Sequence, residues 1–150
     1  MAYTPGNNND FNDALTYYFN GVNNPSSIPG GVGNVTHANV MDIVNWQTQN
    51  VDDMSDAFSS SGRTNFNEDI SDWNTSNVTD FTRMFKSCKF GQNIRKWNVS
   101  SSATLTNMFE NSWILFSQEY ILLENAWTST NLNITFGPYG DSTKRGTPTH

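Results

Sequence analysis

Charged side chains, cysteines and long apolar runs are all scarce in this sequence of 150 residues. Asp, Glu, Lys and Arg make up 15% of it, against about a quarter in ordinary soluble domains. Asn, Ser and Thr are abundant instead, so neutral amides and hydroxyls keep the chain soluble. The formal net charge is -6, and Lys and Arg form no cluster. Because nucleic acids and anionic membranes are bound mainly through basic patches, neither is an expected partner.

The shortage of cysteine and of apolar runs excludes further classes of protein. Cys88 is the only cysteine, so the chain can form neither an intrachain disulfide nor a thiolate metal cage. No apolar run approaches the roughly 20 residues that cross a bilayer, which predicts no membrane span. The start, MAYTPGNNND, has no basic and no apolar stretch, so we expect no secretory signal. The length suits one domain that is stabilised by packing alone.

Catalytic and metal-binding patterns are missing as well. Adjacent carboxylates at residues 52–53 and 68–69 have the residue types of a glycosidase acid and base, but the second pair becomes Gln-Asn at residues 92–93, one repeat later. His37 and His150 are isolated. The glycines of IPGGVGN lack the Lys-Ser/Thr of a phosphate-binding loop. We therefore expect a non-enzymatic protein with no catalytic residue, no metal and no cofactor.

A repeat organises the middle of the chain. FNEDISDWNTSNVTDFTRMF, at residues 66–85, returns as FGQNIRKWNVSSSATLTNMF from residue 90. Its anchor is tryptophan: Trp46, Trp73, Trp97 and Trp127 follow at intervals of 27, 24 and 30 residues, a period typical of repeat proteins. Apolar residues recur in register with it: Ile43, Ile70 and Ile94 before it, and Met54, Phe81, Leu105, Phe58, Phe85 and Phe109 after it.

Each repeat is predicted to form one coil made of a short strand and a short helix. The half written I-x-x-W-x-[T/V] alternates inward positions and holds β-branched and aromatic residues, which indicates a strand like that of a leucine-rich repeat. The following half, residues 51–58 and 78–85, spaces its apolar residues three, four and seven apart, as in a helix of about two turns. Asn50 and Asn77 stand where they would cap these helices.

The phrase FNEDISDWNTSNVTDFTRMFKSCKF carries a family resemblance. It resembles the repeat of BspA-like surface proteins, also called the lipoprotein-associated or Mycoplasma-type repeat: a Met-Phe pair, a small residue or Cys, Phe-Asn, Ile, Trp, Thr-Ser and Val. The likeness spans residues 45–111, with Gly91 in place of the expected Asn. It implies a leucine-rich-repeat-like fold and a role in adhesion or display, in a family found in bacterial and protist surface proteins and in large viruses and phages.

The predicted fold class is therefore α/β, a short solenoid of about three to four leucine-rich-repeat-like coils with a cap at each end. FNDALTYYFNG, at residues 11–21, has the helical spacing and final glycine of an N-terminal cap helix. The apolar stretch 111–126 is expected to form a distorted last helix, and NLNITF at residues 131–136 a cap strand. The predicted divisions are an N-terminal arm, cap helix and loop (1–44), the repeat solenoid (45–127), and the cap strand and tail (128–150).

The outer side of the predicted strands is a candidate binding face. Side chains alternate along a strand, so the neighbours of an inward Trp and Thr point to solvent. Stacked coils would align these neighbours in ladders, and repeat proteins commonly bind through such extended faces. Simple solvation is the alternative explanation of their polarity. The candidates are Asn45, Gln47, Gln49, Asp72, Asn74, Ser76, Lys96, Asn98 and Ser100.

Three functions from different classes fit these features. The one we predict is a virion structural protein, a small capsid, decoration or fibre subunit of a phage or large virus. It would be made in the host cytoplasm and bound to other virion subunits or to copies of itself. An Asn-rich surface of mostly uncharged polar groups and the expected lack of a signal or anchor are consistent with this prediction. The alternative is a cell-surface adhesin or binding module that contacts other surface proteins or a host-surface ligand; a carbohydrate-active enzyme is less favoured. A virion subunit is expected to attach through its ends, at Tyr3, Pro5, Pro138, Tyr139, Lys144 and Arg145.

Overall fold

Helices occupy the two ends of the structure, and turns make up the part between them. The computed structural model describes residues 1–21 and 27–130. Helix α1 spans Asn8–Asn20, α2 spans His37–Met41, and α3 spans Gln118–Thr130. Short 3-10 helices lie at Ile43–Asn45 and Trp113–Phe116.

Helix α1 begins and ends where its sequence provides caps. The Asn7 side chain accepts a hydrogen bond of 2.9 Å from the backbone N–H of Asp10, and Gly21, at φ 78°, donates to the carbonyl of Tyr18. Phe11 and Leu15 on its inner side are buried in the core. The helix therefore covers one end of the repeats.

The repeats stack as layers joined by backbone hydrogen bonds. The N–H groups of Met54, Asp56 and Phe58 donate to the carbonyls of Asp80, Thr82 and Met84, each over 2.9 Å. The next layer repeats the pattern: Phe81, Arg83 and Phe85 donate to Thr104, Thr106 and Met108 over 2.8–3.0 Å. The order of these bonds is parallel, but only single-residue bridges, Asp53 to Asp80 and Asp80 to Thr104, form between the layers.

The predicted solenoid of strand–helix coils is wrong. No helix forms over residues 51–58 or 78–85, and no strand longer than a single bridge residue occurs among the described residues. Instead, tight turns such as Ala57 N–H to Met54 carbonyl, 3.3 Å, give the same apolar spacing without a helix. The predicted cap strand at residues 131–136 lies outside the described residues.

A residue with left-handed backbone at the same place in each layer explains why the predicted helices do not form. Asp56, Arg83 and Asn107 have φ of 58°, 53° and 53° and stand ten positions after successive tryptophans. A left-handed residue turns the chain out of a right-handed helix. It also frees alternate N–H groups to bond the neighbouring layer, as Asp56 and Arg83 do. Asn50 and Asn77 cap no helix; their side-chain amides donate to the carbonyls of Pro5 and Gln49.

The tryptophans lie in the core, and their indole N–H groups connect each layer to the one before it by hydrogen bonds. Trp46, Trp73 and Trp97 are at most 4% exposed. The Trp73 indole N–H donates to the Ile43 carbonyl over 2.9 Å, and that of Trp97 to the Ile70 carbonyl over 3.0 Å. Ile43 and Ile70 thus pack in their own layers while their carbonyls accept an indole N–H from the next layer.

Two columns of phenylalanine rings run beside the tryptophans. Phe58, Phe85 and Phe109 form the first column, with near-parallel rings 5.4 and 5.8 Å apart. Phe66 and Phe90 form the second, 6.2 Å apart. Within a layer the two columns touch at almost the same distance, 4.0 Å for Phe58–Phe66 and 4.1 Å for Phe85–Phe90.

The two layers form this same ring contact although the segments that connect the two rings differ in length. Phe58 and Phe66 are eight positions apart, whereas Phe85 and Phe90 are five apart. The longer connection runs through exposed residues 60–62 and includes Gly62 at φ 87°. The additional residues therefore lie at an outer corner and leave the stacking unchanged.

Cys88 is expected to be unreactive in the folded protein. Its side chain is fully buried, the thiol is 3.4 Å from the Phe66 carbonyl, and burial raises its pKa to about 11. Since the thiolate is the reactive form, labelling by a thiol reagent at pH 8 should follow unfolding of the chain. We expect at least a hundredfold slower labelling in buffer than in denaturing urea; equal rates in the two solutions would contradict the burial.

Candidate binding surfaces

The predicted polar face is exposed where the sequence indicated, although it is not a sheet. Trp73 and Thr75 are buried while Asp72, Asn74 and Ser76 are exposed. The flanking layers alternate in the same way, with Asn45, Gln47, Lys96 and Asn98 exposed and Gln49 and Ser100 half-buried. The structure thus brings all nine predicted residues to neighbouring layers of one stack. We call this set the polar face.

Side chains beneath and on the polar face hold its layers in register. The buried hydroxyls of Thr48 and Thr75 donate to the carbonyls of Asn74 and Asn98, over 2.9 and 3.3 Å. On the surface, the Lys96 ammonium pairs with the Asp72 carboxylate one layer away. The face therefore presents amides, hydroxyls and an exposed ion pair on a rigid base, a surface suited to hydrogen bonding with a polar partner.

A polar pocket that sequence reasoning missed borders this face. It has a volume of about 400 Å³ and is lined by Asp69, Ser71, Gln92, Asn93, Arg95 and Lys96. Arg95, one of these residues, forms an ion pair with Glu119 at 3.0 Å. Hydrogen bonds from the Ser71 side chain and backbone hold the pKa of Asp69 below its usual range. The sequence signal that could have indicated this pocket is the equivalence of Asp69 and Asn93, which occupy the same position in successive repeats and begin equivalent turns.

The carboxylate pairs serve turns and end caps. Asp53 and Asp69 accept backbone N–H bonds of 2.9 and 3.0 Å from residues two positions on, the geometry of Asx turns. Asp52 accepts 2.7 Å from the Asn8 amide, which ties the first layer to α1. In the part of the chain that the structure describes, His, Cys, Asp and Glu form no cluster able to hold a metal ion.

The predicted attachment residues at the N-terminus are part of the domain's own core. Tyr3 is 1% exposed, packs edge-on against Trp46, and donates from its hydroxyl to the Gly30 carbonyl over 2.7 Å. Pro5 is buried as well, and its carbonyl accepts the Asn50 amide at 3.2 Å. These side chains therefore pack within the chain itself. Pro138, Tyr139, Lys144 and Arg145 lie outside the described residues.

The repeat layers fall within a known protein family. Residues 27–136 match the family model described as "Mycoplasma protein of unknown function, DUF285". The chain belongs to this family. As a DUF285 protein it carries a Mycoplasma-type repeat, as its sequence indicated, whereas membership gives no support to the virion prediction. No curated protein and no solved structure matches the chain. Over the described parts of this DUF285 protein, the helices are too short or too polar to cross a bilayer.

Proposed function

We propose that this DUF285 domain is a non-enzymatic binding module displayed at a cell surface, of the BspA-like adhesin type. The motif resemblance over residues 45–111 supports the BspA-like assignment, and membership in a family named for a cellular bacterium favours the cell surface over a virus particle. Its partner would be a protein or ligand on another surface.

The observation that carries this proposal is the polar face. Indole and threonine bonds between layers fix its backbone, so a partner meets a preorganised row of donors and acceptors. Glu68 and Asp69, the adjacent carboxylates with glycosidase chemistry, line two different pockets and do not face each other across one cleft. That arrangement favours recognition over hydrolysis.

Beads coated with the domain test the proposal on cultured epithelial cells. A variant with Gln47, Lys96 and Asn98 changed to Ala removes three exposed side chains from the polar face. We expect it to reduce adhesion about tenfold or more, since each lost polar contact weakens binding severalfold.

The matched control changes Asn9, Asn12 and Asp13 to Ala, three exposed residues of α1. It should adhere like the unaltered domain. Adhesion of the unaltered domain no greater than that of albumin-coated beads would refute the proposal, as would equal adhesion of the two variants.

A further inference from the structure

A second groove, at the C-terminal end of α1, combines aromatic walls with a polar rim. It has a volume of about 460 Å³, within the roughly 300–1,000 Å³ of small-molecule sites. Tyr18 and Phe19 at the end of α1 form two walls, with ring centroids 5.0 Å apart and planes at 88°. Both rings are partly exposed, unlike the stacked phenylalanines of the core.

Three polar side chains line this groove besides Tyr18, and one of them, Asn67, already accepts a hydrogen bond of 2.9 Å from the Gly91 N–H. Asn65 and Glu68 are exposed and form no hydrogen bond or ion pair within residues 1–21 and 27–130. The Tyr18 hydroxyl is a proton donor at neutral pH, and burial and, secondarily, the charge of Glu68 raise its pKa further. One carboxylate, one amide and one phenol thus surround an aromatic surface.

The Arg63 guanidinium disfavours a cationic ligand on the Phe19 wall of the groove. The Arg63 guanidinium lies over the Phe19 ring, 5.4 Å from its centroid, and already occupies a face that a cation would use. Arg63 is held there by bonds of 3.1 Å to the Ala57 carbonyl and to the Thr16 hydroxyl. An anion would in turn be repelled by Glu68. A neutral ligand with an apolar face and many hydroxyls is repelled by neither Arg63 nor Glu68.

We propose that this groove binds a neutral saccharide. The C–H face of a sugar ring packs on the Tyr18 ring, with Phe19 standing at 88° to it as a side wall. Its hydroxyls bond to the Glu68 carboxylate, the Asn65 amide and the Tyr18 hydroxyl. The groove shares no residue with the polar face, so this inference goes beyond the proposed adhesion through that face. Loss of either site leaves the other intact.

Saturation-transfer NMR with the full chain tests the groove against chitotriose, maltotriose, cellotriose, mannotriose and lactose, with tetramethylammonium as the cationic probe. We expect at least one saccharide to bind. Asn65→Ala and Glu68→Ala should each weaken that saccharide about tenfold, because each removes bonds to its hydroxyls. Both residues are exposed and without hydrogen-bond partners in the described chain, so these variants should fold normally.

A double variant, Asn12→Ala with Asp13→Ala, removes the same two chemical groups from the exposed side of α1 and should bind the saccharide like the parent. Tyr18→Phe should show a smaller loss, since it keeps the ring and removes the hydroxyl. Two results would overturn the proposal: no saccharide binds, whether or not tetramethylammonium does, or the rim variants bind the saccharide as tightly as the control.

Discussion

Replacing Phe85 with Ala should lower the free energy of unfolding by about 4–5 kcal/mol, at the upper end of Phe-to-Ala effects. Phe85 is fully buried and touches more rings than an ordinary core residue: Phe58 and Phe109 on either side, and Phe90 at 4.1 Å within its layer. Its removal opens a cavity between three layers that are held in place by backbone bonds and cannot collapse fully. Urea unfolding followed by tryptophan fluorescence measures the change.

Phe85→Leu is the matched control, because it keeps most of the volume and loses the flat ring. It should cost about 1–2 kcal/mol. If Phe85→Ala cost no more than Phe85→Leu, the ring column would contribute little and the layers would have to relax around the cavity.

Trp73→Ala is expected to cost about 3–5 kcal/mol. Trp73 joins three parts of the molecule: its ring stacks on Trp46 with centroids 5.8 Å apart and planes at 4°, and meets Phe11 of α1 edge-on at 5.7 Å. Its indole N–H bonds the Ile43 carbonyl. The loss should therefore loosen α1 as well as the repeats, which hydrogen exchange of the α1 amides would report.

Trp73→Phe separates ring packing from the indole bond. The Ile43 carbonyl keeps its bond from the Trp46 backbone N–H, so the removed donor leaves no unpaired acceptor. We expect a cost of about 1–2 kcal/mol. A cost equal to that of Trp73→Ala would mean that the hydrogen bond, and not the ring, connects the layers.

The tryptophan register and the burial of the core could be predicted from the sequence because both depend on which residues repeat. Trp73 and Trp97 are buried, as their place in the repeat predicts. The local conformation could not be predicted in the same way. Helices and tight turns can space apolar side chains alike. Arginine seldom adopts left-handed backbone, so the sequence gives no sign that Arg83 has φ 53°.

Of the two candidate sites, one could be predicted from the repeat and the other could not. The polar face could be predicted because its residues alternate with buried ones within each repeat. The aromatic groove could not, since Tyr18 and Phe19 come from α1 and Asn65 and Glu68 from a corner more than 40 positions later. Only the folded chain shows that the two segments meet.

The unequal connections between the phenylalanine columns bear on how such a chain can change through evolution. Phe58 and Phe66 keep the same contact as Phe85 and Phe90 although their connection is longer, so insertions at residues 60–62 need not disturb the register of the next layer. Loop entropy grows slowly with length, and lengthening this corner would cost little stability. The same corner leads into Asn65 and Glu68, so lineages could diversify one wall of the groove by insertion and deletion while their buried rings stay unchanged.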